Sequence, residues 1–318
     1  MLFTIIVFLL LFVGSIVLGP ILWTRSIAKR AEAALPAVGQ HLDVPGGSIH
    51  YVDLGPRDAP VVVMIHGLSG QLQHFTFAVT DQLSDEYRLI VVDRPGCGYS
   101  TRLGPAQADL LEQGRMIHSA LEQIGVDKAM IVGHSLGGAV ALGMALNQPE
   151  RVTGLALIAP LTHRPKAPSQ AFSGLVVQND LHRRILSRTV AVPMAQMAGA
   201  TVLAEVFRPD PVAEGFISRA GGVLGLRPKA FVTASQDYEA SGGVHRLSKR
   251  YADLTVPGAV LFGEQDVILN AEEQGKPMVQ YGLTYHELKG RGHMLPMVTP
   301  GDCANLVREV AAMTKTSA

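Results

Sequence analysis

The sequence predicts an α/β fold in which helices flank a mostly parallel central sheet, with a helical cap inserted into the core and a transmembrane helix before it. Three observations lead to this prediction. Short apolar runs alternate with helical patterns from about residue 41 onward, as expected for a parallel sheet covered on both faces. This alternation stops between residues 161 and 256. Before the core, residues 2–23 contain no charged side chain.

The length of 318 residues is enough for one large domain with an insertion. A hydrophobic fraction of 47% is typical of a globular protein. The 27 basic residues balance the 27 acidic ones and no long basic run occurs, so nucleic acid is not an expected partner. We divide the chain into a transmembrane anchor (or uncleaved signal), a linker, a two-part core and a cap: residues 1–23, 24–40, 41–160 with 257–318, and 161–256.

The apolar segment 2–23 is long enough to cross a bilayer as a helix, which needs about 20 residues. Arg25, Lys29 and Arg30 follow it at once, and no basic residue precedes it. We therefore predict a single-pass membrane anchor, and the positive-inside rule favours a cytoplasmic location for the rest of the chain. An extracytoplasmic location stays open. A signal peptide cleaved near residues 31–33 is the rival, but the long run and the missing basic n-region argue against it.

The first half of the core begins with a predicted hairpin and continues with alternating strands and helices. Continuous apolar runs indicate strands buried on both faces, and apolar residues three or four apart indicate helices. Residues 45–47, Pro-Gly-Gly, form the predicted hairpin turn. The predicted elements in order are strands 41–44, 48–54 and 61–65, a helix 71–83, a strand 87–92 and a helix 108–124.

The second half of the core repeats the alternation around the cap. The cap has Met and Phe residues among Gly and Pro breakers and no convincing buried strand, so we predict that it is mainly helical. The remaining predicted elements are strand 129–132, helix 138–146 and strand 152–158 before the cap, and strands 259–262 and 283–288 and helix 302–313 after it.

The segment from Gly133 to Gly137 fits the pattern G-x-S-x-G, and it lies between a predicted buried strand and a predicted helix. This is the setting in which the pattern forms a nucleophile elbow. Gly133 and Gly137 allow the strand and the helix to approach closely around a strained turn. The turn exposes the hydroxyl of Ser135 near a helix N-terminus, where negative charge is stabilised. We therefore predict that Ser135 is a nucleophile.

Further motifs make the chain resemble the α/β-hydrolase family over residues 41–314. His66-Gly67-Leu68 follows one buried strand, and the segment Asp93–Ser100 follows the next. The elbow at Ser135 comes third. Asp266 and then His293 complete the order of nucleophile, acid and histidine that is typical of the family.

A serine hydroxyl is a weak nucleophile unless a base lies within hydrogen-bond distance and an acid orients that base. The resemblance implies that His293, in a glycine-flanked loop after the last strand, is the base. It also implies that Asp266 is the acid. Glu264 stays open as a rival because it is a carboxylate two residues away. The histidines of the cap are interpreted as structural or lid residues: His163, His182 and His245.

The resemblance also implies an oxyanion hole formed by two backbone N–H groups, those of Leu68 and Leu136. His66 is interpreted as a structural residue that holds this loop. Gly67 allows close approach of the backbone.

We predict no metal and no cofactor, because the sequence has no H-E-x-x-H and no P-loop motif. Cys97 and Cys303 are far apart in sequence, and no C-x-x-C pattern occurs. Cys97 has no activating partner nearby in sequence, so we interpret Asp93–Ser100 as scaffold rather than as a catalytic segment.

The predicted function is a serine esterase or lipase that acts on a small ester or lipid-like substrate, with an apolar acyl group, through an acyl-enzyme. A carbon–carbon bond hydrolase or a cofactor-free haloperoxidase-like enzyme is the alternative. Against the carbon–carbon hydrolases, Leu68-Ser69-Gly70-Gln71 lacks the glycine-rich extension associated with them. An acyltransferase and a non-catalytic binding module are further alternatives, and the latter would predict a broken triad.

Overall fold

The structure is a computed structural model that describes residues 2–167 and 169–316, without the side chains of residues 2, 5–13, 16, 17 and 316. The strands of this part form one sheet in the order β1-β2-β4-β3-β6-β7-β8-β9, with the short β5 paired to β2. All pairs from β4 across to β9 are parallel, whereas β1, β2 and β5 pair antiparallel. The predicted mostly parallel sheet is thus confirmed. The strands are β1 Gln40–Val44, β2 Gly47–Leu54, β3 Val61–Ile65, β4 Arg88–Val92, β5 Thr101–Arg102, β6 Ala129–His134, β7 Val152–Ile158, β8 Gly258–Gly263 and β9 Thr284–Leu288.

Helices cover both faces of the sheet and form the cap. The α-helices are α1 Leu2–Ala34, α2 Gln73–Thr76, α3 Leu110–Gln123, α4 Leu136–Asn147, α5 Asp180–Arg188, α6 Ala191–Phe207, α7 Pro228–Ala240, α8 Val244–Ser248, α9 Ala271–Gln274, α10 Leu295–Val298 and α11 Pro300–Thr316. Short 3-10 turns connect several of them. Within the described range from 161 to 256, which we call the cap, there are helices and turns but no strand.

The continuous apolar runs of the strands arise because each strand contributes to two cores. In β3, Val63 and Ile65 pack into the core on one face of the sheet, under α3 and α4. Val62 and Met64 alternate with them and pack into the core on the other face, under α11. Successive side chains of a strand point to opposite faces, so a sheet covered on both faces needs apolar residues at every position.

The predicted helix from 71 to 83 is only partly correct. Regular helix is restricted to α2, and a 3-10 turn follows at Thr80–Gln82. The apolar residues at helical spacing are buried as expected, because Phe75, Val79 and Leu83 all point into the core. β-Branched residues such as Thr76 and Val79 have low helix propensity, which favours the shorter turns.

The predicted linker, residues 24–40, is helical as far as Ala34, because α1 continues through it. Ile27 and Ala31 are buried, and α1 packs against α5 and α6 of the cap. The Thr24 hydroxyl donates a hydrogen bond of 2.9 Å to the carbonyl oxygen of Thr189. The second half of α1 is therefore fixed to the cap by packing and by hydrogen bonding.

The predicted membrane span, residues 2–23, forms the first part of α1. Its side chains at residues 2, 5–13, 16 and 17 lie outside the described residues. Among the described residues, no single helix has the length and apolar character needed to cross a membrane. The pair α5 and α6 meets that requirement when taken together, although the two helices are bent by 76°.

The imidazole of His118 in α3 is buried, and its Nε2 has no hydrogen-bond partner among the described residues. Burial, and secondarily the charge of Arg151, lowers the pKa of His118 from 6.5 to about 4. The unfolded chain therefore binds a proton that the folded protein does not bind between these values. Stability is expected to fall as the pH falls from about 6.5 towards 4.

The substitution His118→Gln is expected to remove the part of the acid-induced loss of stability that His118 causes. Chemical unfolding at pH 7 and pH 4.5 should show a pH-induced loss of unfolding free energy that is smaller by about 2 kcal/mol in the variant. His182→Gln, at an exposed position, serves as the control and should behave like the parent protein. Equal pH dependence in His118→Gln and the parent would contradict the expectation.

Candidate active site

Ser135 lies in a strained turn between β6 and α4. Its backbone φ of 54° lies in the left-handed region, which residues other than glycine rarely adopt. The Ser135 N–H donates to the carbonyl oxygen of Ile158 in β7 at 3.0 Å, which ties the turn to the neighbouring strand. The turn directs the Ser135 side chain to the carboxyl end of the sheet, where ligands bind in open α/β sheets.

Gly133 and Gly137 are required by close backbone contacts at this turn. A Cβ atom on Gly133 would lie 2.6 Å from the carbonyl oxygen of Gly137. A Cβ atom on Gly137 would lie 2.2 Å from the carbonyl oxygen of Ile65 and 2.6 Å from that of His66. Rigid backbone atoms cannot move away as a flexible side chain can.

The substitution Gly137→Ala is therefore expected to lower the free energy of unfolding by at least about 2 kcal/mol, because overpacking forces the backbone to shift. Chemical denaturation measures this change. Gly199→Ala in α6 is the matched control, since a Cβ atom there meets nothing within 4 Å. The control should stabilise the protein by about 0.5–1 kcal/mol through helix propensity. Equal stabilities for the two variants would contradict the expectation.

Three side chains form a continuous hydrogen-bonded chain at the turn. The distance from His293 Nε2 to Ser135 Oγ is 3.0 Å, and the distance from His293 Nδ1 to Asp266 Oδ2 is 2.7 Å. Ser135 and His293 are buried, with 8% and 3% of their surfaces exposed, and the Asp266 side chain is fully buried. A carboxylate on Nδ1 leaves Nε2 free to accept a proton from the serine hydroxyl.

The second carboxylate oxygen, Asp266 Oδ1, accepts the backbone N–H groups of Ile268 and Leu269 at 2.8 and 2.9 Å. These bonds fix the orientation of the carboxylate that contacts His293. Glu264, the rival acid, is exposed and accepts the N–H of Gly290 at 3.0 Å instead. The structure thus brings Asp266 to the histidine and leaves Glu264 at the surface of the loop.

The backbone N–H groups of Leu68 and Leu136 donate no hydrogen bond within the described residues, and both residues line the cavity above Ser135. Their orientation follows from the carbonyl groups of the same peptide units. The carbonyl oxygen of Gly67 accepts from His66 Nδ1 at 2.8 Å and from Arg94 Nη2 at 2.9 Å. Because a trans peptide directs its N–H opposite to its C=O, the N–H of Leu68 points away from these donors.

The same reasoning applies to Leu136. The carbonyl oxygen of Ser135 accepts the N–H groups of Gly138 and Leu161, both at 2.9 Å, which fixes the peptide that carries the Leu136 N–H. Gly67 lies close to the turn, since a Cβ atom on it would be 2.9 Å from Ser135 Cβ. The N–H groups of Leu68 and Leu136 thus have no hydrogen-bond partner among the described residues and belong to residues that line the cavity at Ser135, an arrangement that can stabilise an oxyanion.

The comparisons with known proteins agree with this topology. A sequence model of the α/β hydrolase fold matches residues 60–209. The solved structure of a bacterial membrane phospholipase A superimposes with a TM-score of 0.67 and 19% identity, and covers 99% of this chain and 98% of that chain. The chain has the α/β-hydrolase fold.

Two curated relatives of this chain differ in the reactions that their names describe. The dihydrolipoyllysine-residue acetyltransferase component of the acetoin cleaving system of Cupriavidus necator is 28% identical over 286 residues, which is 87% of this chain and 70% of that protein. The 2-hydroxy-6-oxononadienedioate/2-hydroxy-6-oxononatrienedioate hydrolase of a Pseudomonas species is 26% identical over 228 residues, 69% of this chain and 76% of that protein. Matches to several other curated relatives span only 34–37% of their lengths.

Several residues that support the site of this α/β-hydrolase fold were not predicted from the sequence. His134 Nε2 lies 3.1 Å from the carbonyl oxygen of His293, and the two rings are 5.0 Å apart. Burial, and secondarily the neighbouring His293, holds the pKa of His134 well below its usual value, so this ring is neutral. Asp210 of the cap accepts the N–H of Gly292 at 2.9 Å and a guanidinium N–H of Arg291 at 2.8 Å.

Arg94 is a further unpredicted residue, and its guanidinium is completely buried. It donates to the carbonyl oxygens of His66 and Gly67, and its Nη1 donates to Asp237 of the cap at 2.7 Å. The backbone N–H of Arg94 donates to His66 Nε2 at 3.0 Å. His66 thus forms hydrogen bonds within this loop, and the charge next to the loop comes from Arg94.

The cavity above Ser135 has a volume of about 440 Å³. Its walls combine the core loops with the cap, and most of its lining is apolar. The apolar side chains that line it include Leu68, Leu136, Leu161, Phe172, Leu175, Val176, Ile268 and Leu269. Arg164, Lys166 and Glu239 contribute charge to the lining. The cavity can hold an extended apolar group next to the serine.

The segment Asp93–Ser100 forms hydrogen bonds typical of scaffold. Asp93 accepts the N–H groups of Leu72 and Tyr99 at 2.7 and 2.8 Å, and its Oδ2 lies 2.6 Å from His50 Nδ1. Burial raises the pKa of the Cys97 thiol to about 12, which makes it a poor nucleophile. Among the residues that the structure describes, no group of three or more potential ligands could hold a metal ion.

Proposed function

We propose that the protein is a serine hydrolase that cleaves carboxylic esters through an acyl-enzyme. The observation that carries the proposal is the hydrogen-bonded chain from Ser135 through His293 to Asp266 below an apolar cavity. The two curated relatives described above do not share one reaction, so the site, and not the comparison, argues for ester cleavage.

In the proposed reaction, Ser135 Oγ attacks the ester carbonyl while His293 Nε2 takes the hydroxyl proton. The N–H groups of Leu68 and Leu136 stabilise the negative charge on the carbonyl oxygen. The tetrahedral intermediate collapses, the C–O bond to the alcohol breaks, and His293 gives its proton to the leaving alkoxide. Water then attacks the acyl-enzyme with His293 as base, which releases the acid and restores Ser135. Asp266 stabilises the imidazolium at both stages.

The substrate class follows from the cavity. An apolar lining next to Ser135 favours an acyl group without charge along its length. An ester is preferred to an amide because an alkoxide leaves more easily than an amide nitrogen. A serine at the elbow also argues against the reactions of dehalogenases and epoxide hydrolases, which attack with aspartate in this fold.

Carbon–carbon bond hydrolysis is the second candidate, favoured by the likeness to the hydrolase of 2-hydroxy-6-oxononadienedioate described above. That dicarboxylate substrate carries charge at both ends. The lining of the cavity is mostly apolar, and its charged side chains are those of Arg164, Lys166 and Glu239. Activity on a neutral long-chain ester with none on the dienedioate would favour the ester reaction.

Fluorophosphonate labelling of the full-length protein, with mass spectrometry of the adduct, tests the proposal without a choice of substrate. We expect one adduct, on Ser135, that is lost in His293→Ala. No adduct on Ser135 in folded protein would contradict the proposal. An adduct without any ester turnover would favour the acyltransferase or the carbon–carbon hydrolase.

The two carboxylates near His293 provide a paired test. Asp266→Asn is expected to lower kcat by about 10⁴-fold, because the amide fixes the wrong tautomer of the histidine. Glu264→Ala should change kcat less than about threefold, since Glu264 only caps a loop at the N–H of Gly290. Steady-state ester hydrolysis by the two variants measures this difference. Equal losses would contradict the role of Asp266.

We also propose that residues 2–23 anchor the protein in a membrane as a single span, with the hydrolase on the cytoplasmic side. The uncharged sequence of this segment and the basic residues Arg25, Lys29 and Arg30 support both statements. A protease-protection assay on sealed vesicles of known orientation tests them. Digestion of the hydrolase from the extracytoplasmic side would overturn the orientation, and release by salt or carbonate washing would overturn the anchor.

A further inference from the structure

The helix α6 is unusual because it is apolar and exposed at the same time. From Thr189 to Ala204 no residue is charged. Met194 is 62% exposed and Met197 is 77% exposed. Within α6 only Val192, Pro193 and Phe207 are buried. A helix that packs on a soluble protein normally exposes a polar face, so α6 has an apolar face without a partner among the residues that the structure describes.

Exposed apolar side chains also occur on α5 and between the two helices. We call the combined surface the cap face, and it comprises Leu181, Ile185, Val190, Met194, Met197 and Val202, each at least 37% exposed. Leu181 and Ile185 are four residues apart and so lie on one side of α5. The pair of helices also has the hydropathy of a membrane span, while its bend of 76° is incompatible with a straight crossing.

The cap face lies beside the point where α1 leaves the cap. Thr24 of α1 donates a hydrogen bond to Thr189, one of the two residues between α5 and α6. From there towards its N-terminus, α1 carries the exposed apolar side chains of Leu22 and Trp23. A bilayer entered by residues 2–23 would therefore be adjacent to the cap face.

The charged residues around the cap face favour an anionic membrane over a second copy of the chain as its partner. Arg25, Lys29 and Arg30 of α1 are exposed, as are Arg184 and Arg188 of α5. None of these five forms an ion pair with any residue that the structure describes. Anionic lipid headgroups attract such cations, each by about 1 kcal/mol near the surface. A second copy of the chain packed symmetrically on the same face would instead bring like charges together.

We propose that the cap face is a second membrane contact, in which α5 and α6 lie in the interface of an anionic bilayer beside the span formed by α1. The proposal rests on the proposed membrane attachment and requires nothing of the reaction. It assigns an entry route, because Val176 is 62% exposed and lines the cavity above Ser135 a few residues before α5 begins. A lipid-like ester would then reach Ser135 from the bilayer.

Spin labelling of the full-length protein in vesicles of phosphatidylcholine and phosphatidylglycerol tests the contact directly. The native thiols of Cys97 and Cys303 are buried, so the substitution Met197→Cys provides a single reactive site. Val279→Cys is the control, since it is 54% exposed and lies in a 3-10 turn outside the cap. We compare collision of each label with oxygen, which concentrates in lipid, and with a water-soluble nickel chelate.

The ratio of oxygen to nickel accessibility should be at least about threefold higher at residue 197 than at residue 279, because interfacial helices bury their apolar face about 5–10 Å into the lipid. Equal ratios at both positions would overturn the proposal. Low accessibility to both reagents at residue 197, with spin–spin broadening between copies, would also overturn it in favour of self-association. Neither outcome depends on turnover, and Ser135 labelling reports separately on the proposed reaction.

A pair of activity measurements tests the entry route. Met197→Glu is expected to lower hydrolysis of a long-chain ester dispersed in the vesicles by about tenfold, since a carboxylate opposes both burial in lipid and the anionic surface. Hydrolysis of a short water-soluble ester should be unchanged, because Met197 does not line the cavity. Val279→Glu should change neither rate. Equal loss on both substrates in Met197→Glu, or no loss on either, would overturn the entry route.

Discussion

Replacement of Ser135 by alanine is expected to lower kcat for ester hydrolysis by about 10⁴- to 10⁶-fold. The substitution removes the attacking oxygen and leaves His293, Asp266 and the two N–H donors in place. In the proposed mechanism, those groups alone provide only the residual catalysis that serine hydrolases retain after loss of the nucleophile. The measurement is steady-state hydrolysis of a neutral ester by full-length protein in detergent.

The same experiment has an internal control in the double variant. His293→Ala should cause a similar loss, and Ser135→Ala combined with His293→Ala should lose little more, because the two residues act as one unit. Unchanged thermal unfolding would show that the loss is chemical. Hydrolysis that persists in Ser135→Ala at the parent rate would refute the proposed nucleophile.

The substitution Asp237→Asn is expected to lower the free energy of unfolding by about 3–5 kcal/mol. Asp237 accepts Arg94 Nη1 at 2.7 Å and Arg102 Nη1 at 2.5 Å, and its own side chain is completely buried. The amide keeps the shape but removes the negative charge, which leaves two guanidinium groups inside the protein without a counter-charge. Chemical denaturation, monitored by far-UV circular dichroism, measures the change in the free energy of unfolding.

Asp253→Asn is the matched control, because Asp253 also pairs with an arginine but its side chain is 66% exposed. Exposed pairs contribute about 0–1 kcal/mol, so the control should be close to the parent protein. Asp237→Asn should also reduce ester hydrolysis more than its stability loss explains, since Arg94 holds the carbonyl oxygen of Gly67. A change of less than about 1 kcal/mol in Asp237→Asn would contradict the expectation.

Much of the fold was predictable because its signals are local. Continuous apolar runs such as Val61–Ile65 indicated strands covered on both faces, and the glycines of the elbow indicated a turn with close contacts. Regular helix from residue 71 to 83 was an incorrect prediction. In that segment the apolar spacing of a helix persists in shorter turns, and spacing alone does not distinguish the two.

The supporting contacts of the site were not predictable, because they join residues far apart in sequence. Arg94 and Asp237 are 143 positions apart, and Gly292 and Asp210 are 82 apart. Neither hydrophobic periodicity nor a short motif indicates that two such distant residues will be in contact. The choice between Asp266 and Glu264 was open for another reason: two carboxylates in one loop differ only in the direction that the folded loop gives them.

The hydrogen bonds of Asp210 have a consequence for the timing of a reaction cycle. Asp210 belongs to the cap, yet it holds the loop that carries His293 through Gly292 and Arg291. A displacement of this end of the cap must break both bonds. The proposed general base and this part of the cap are thus mechanically coupled. In the proposed reaction, His293 would then assist Ser135 only while this part of the cap keeps its hydrogen bonds to the loop.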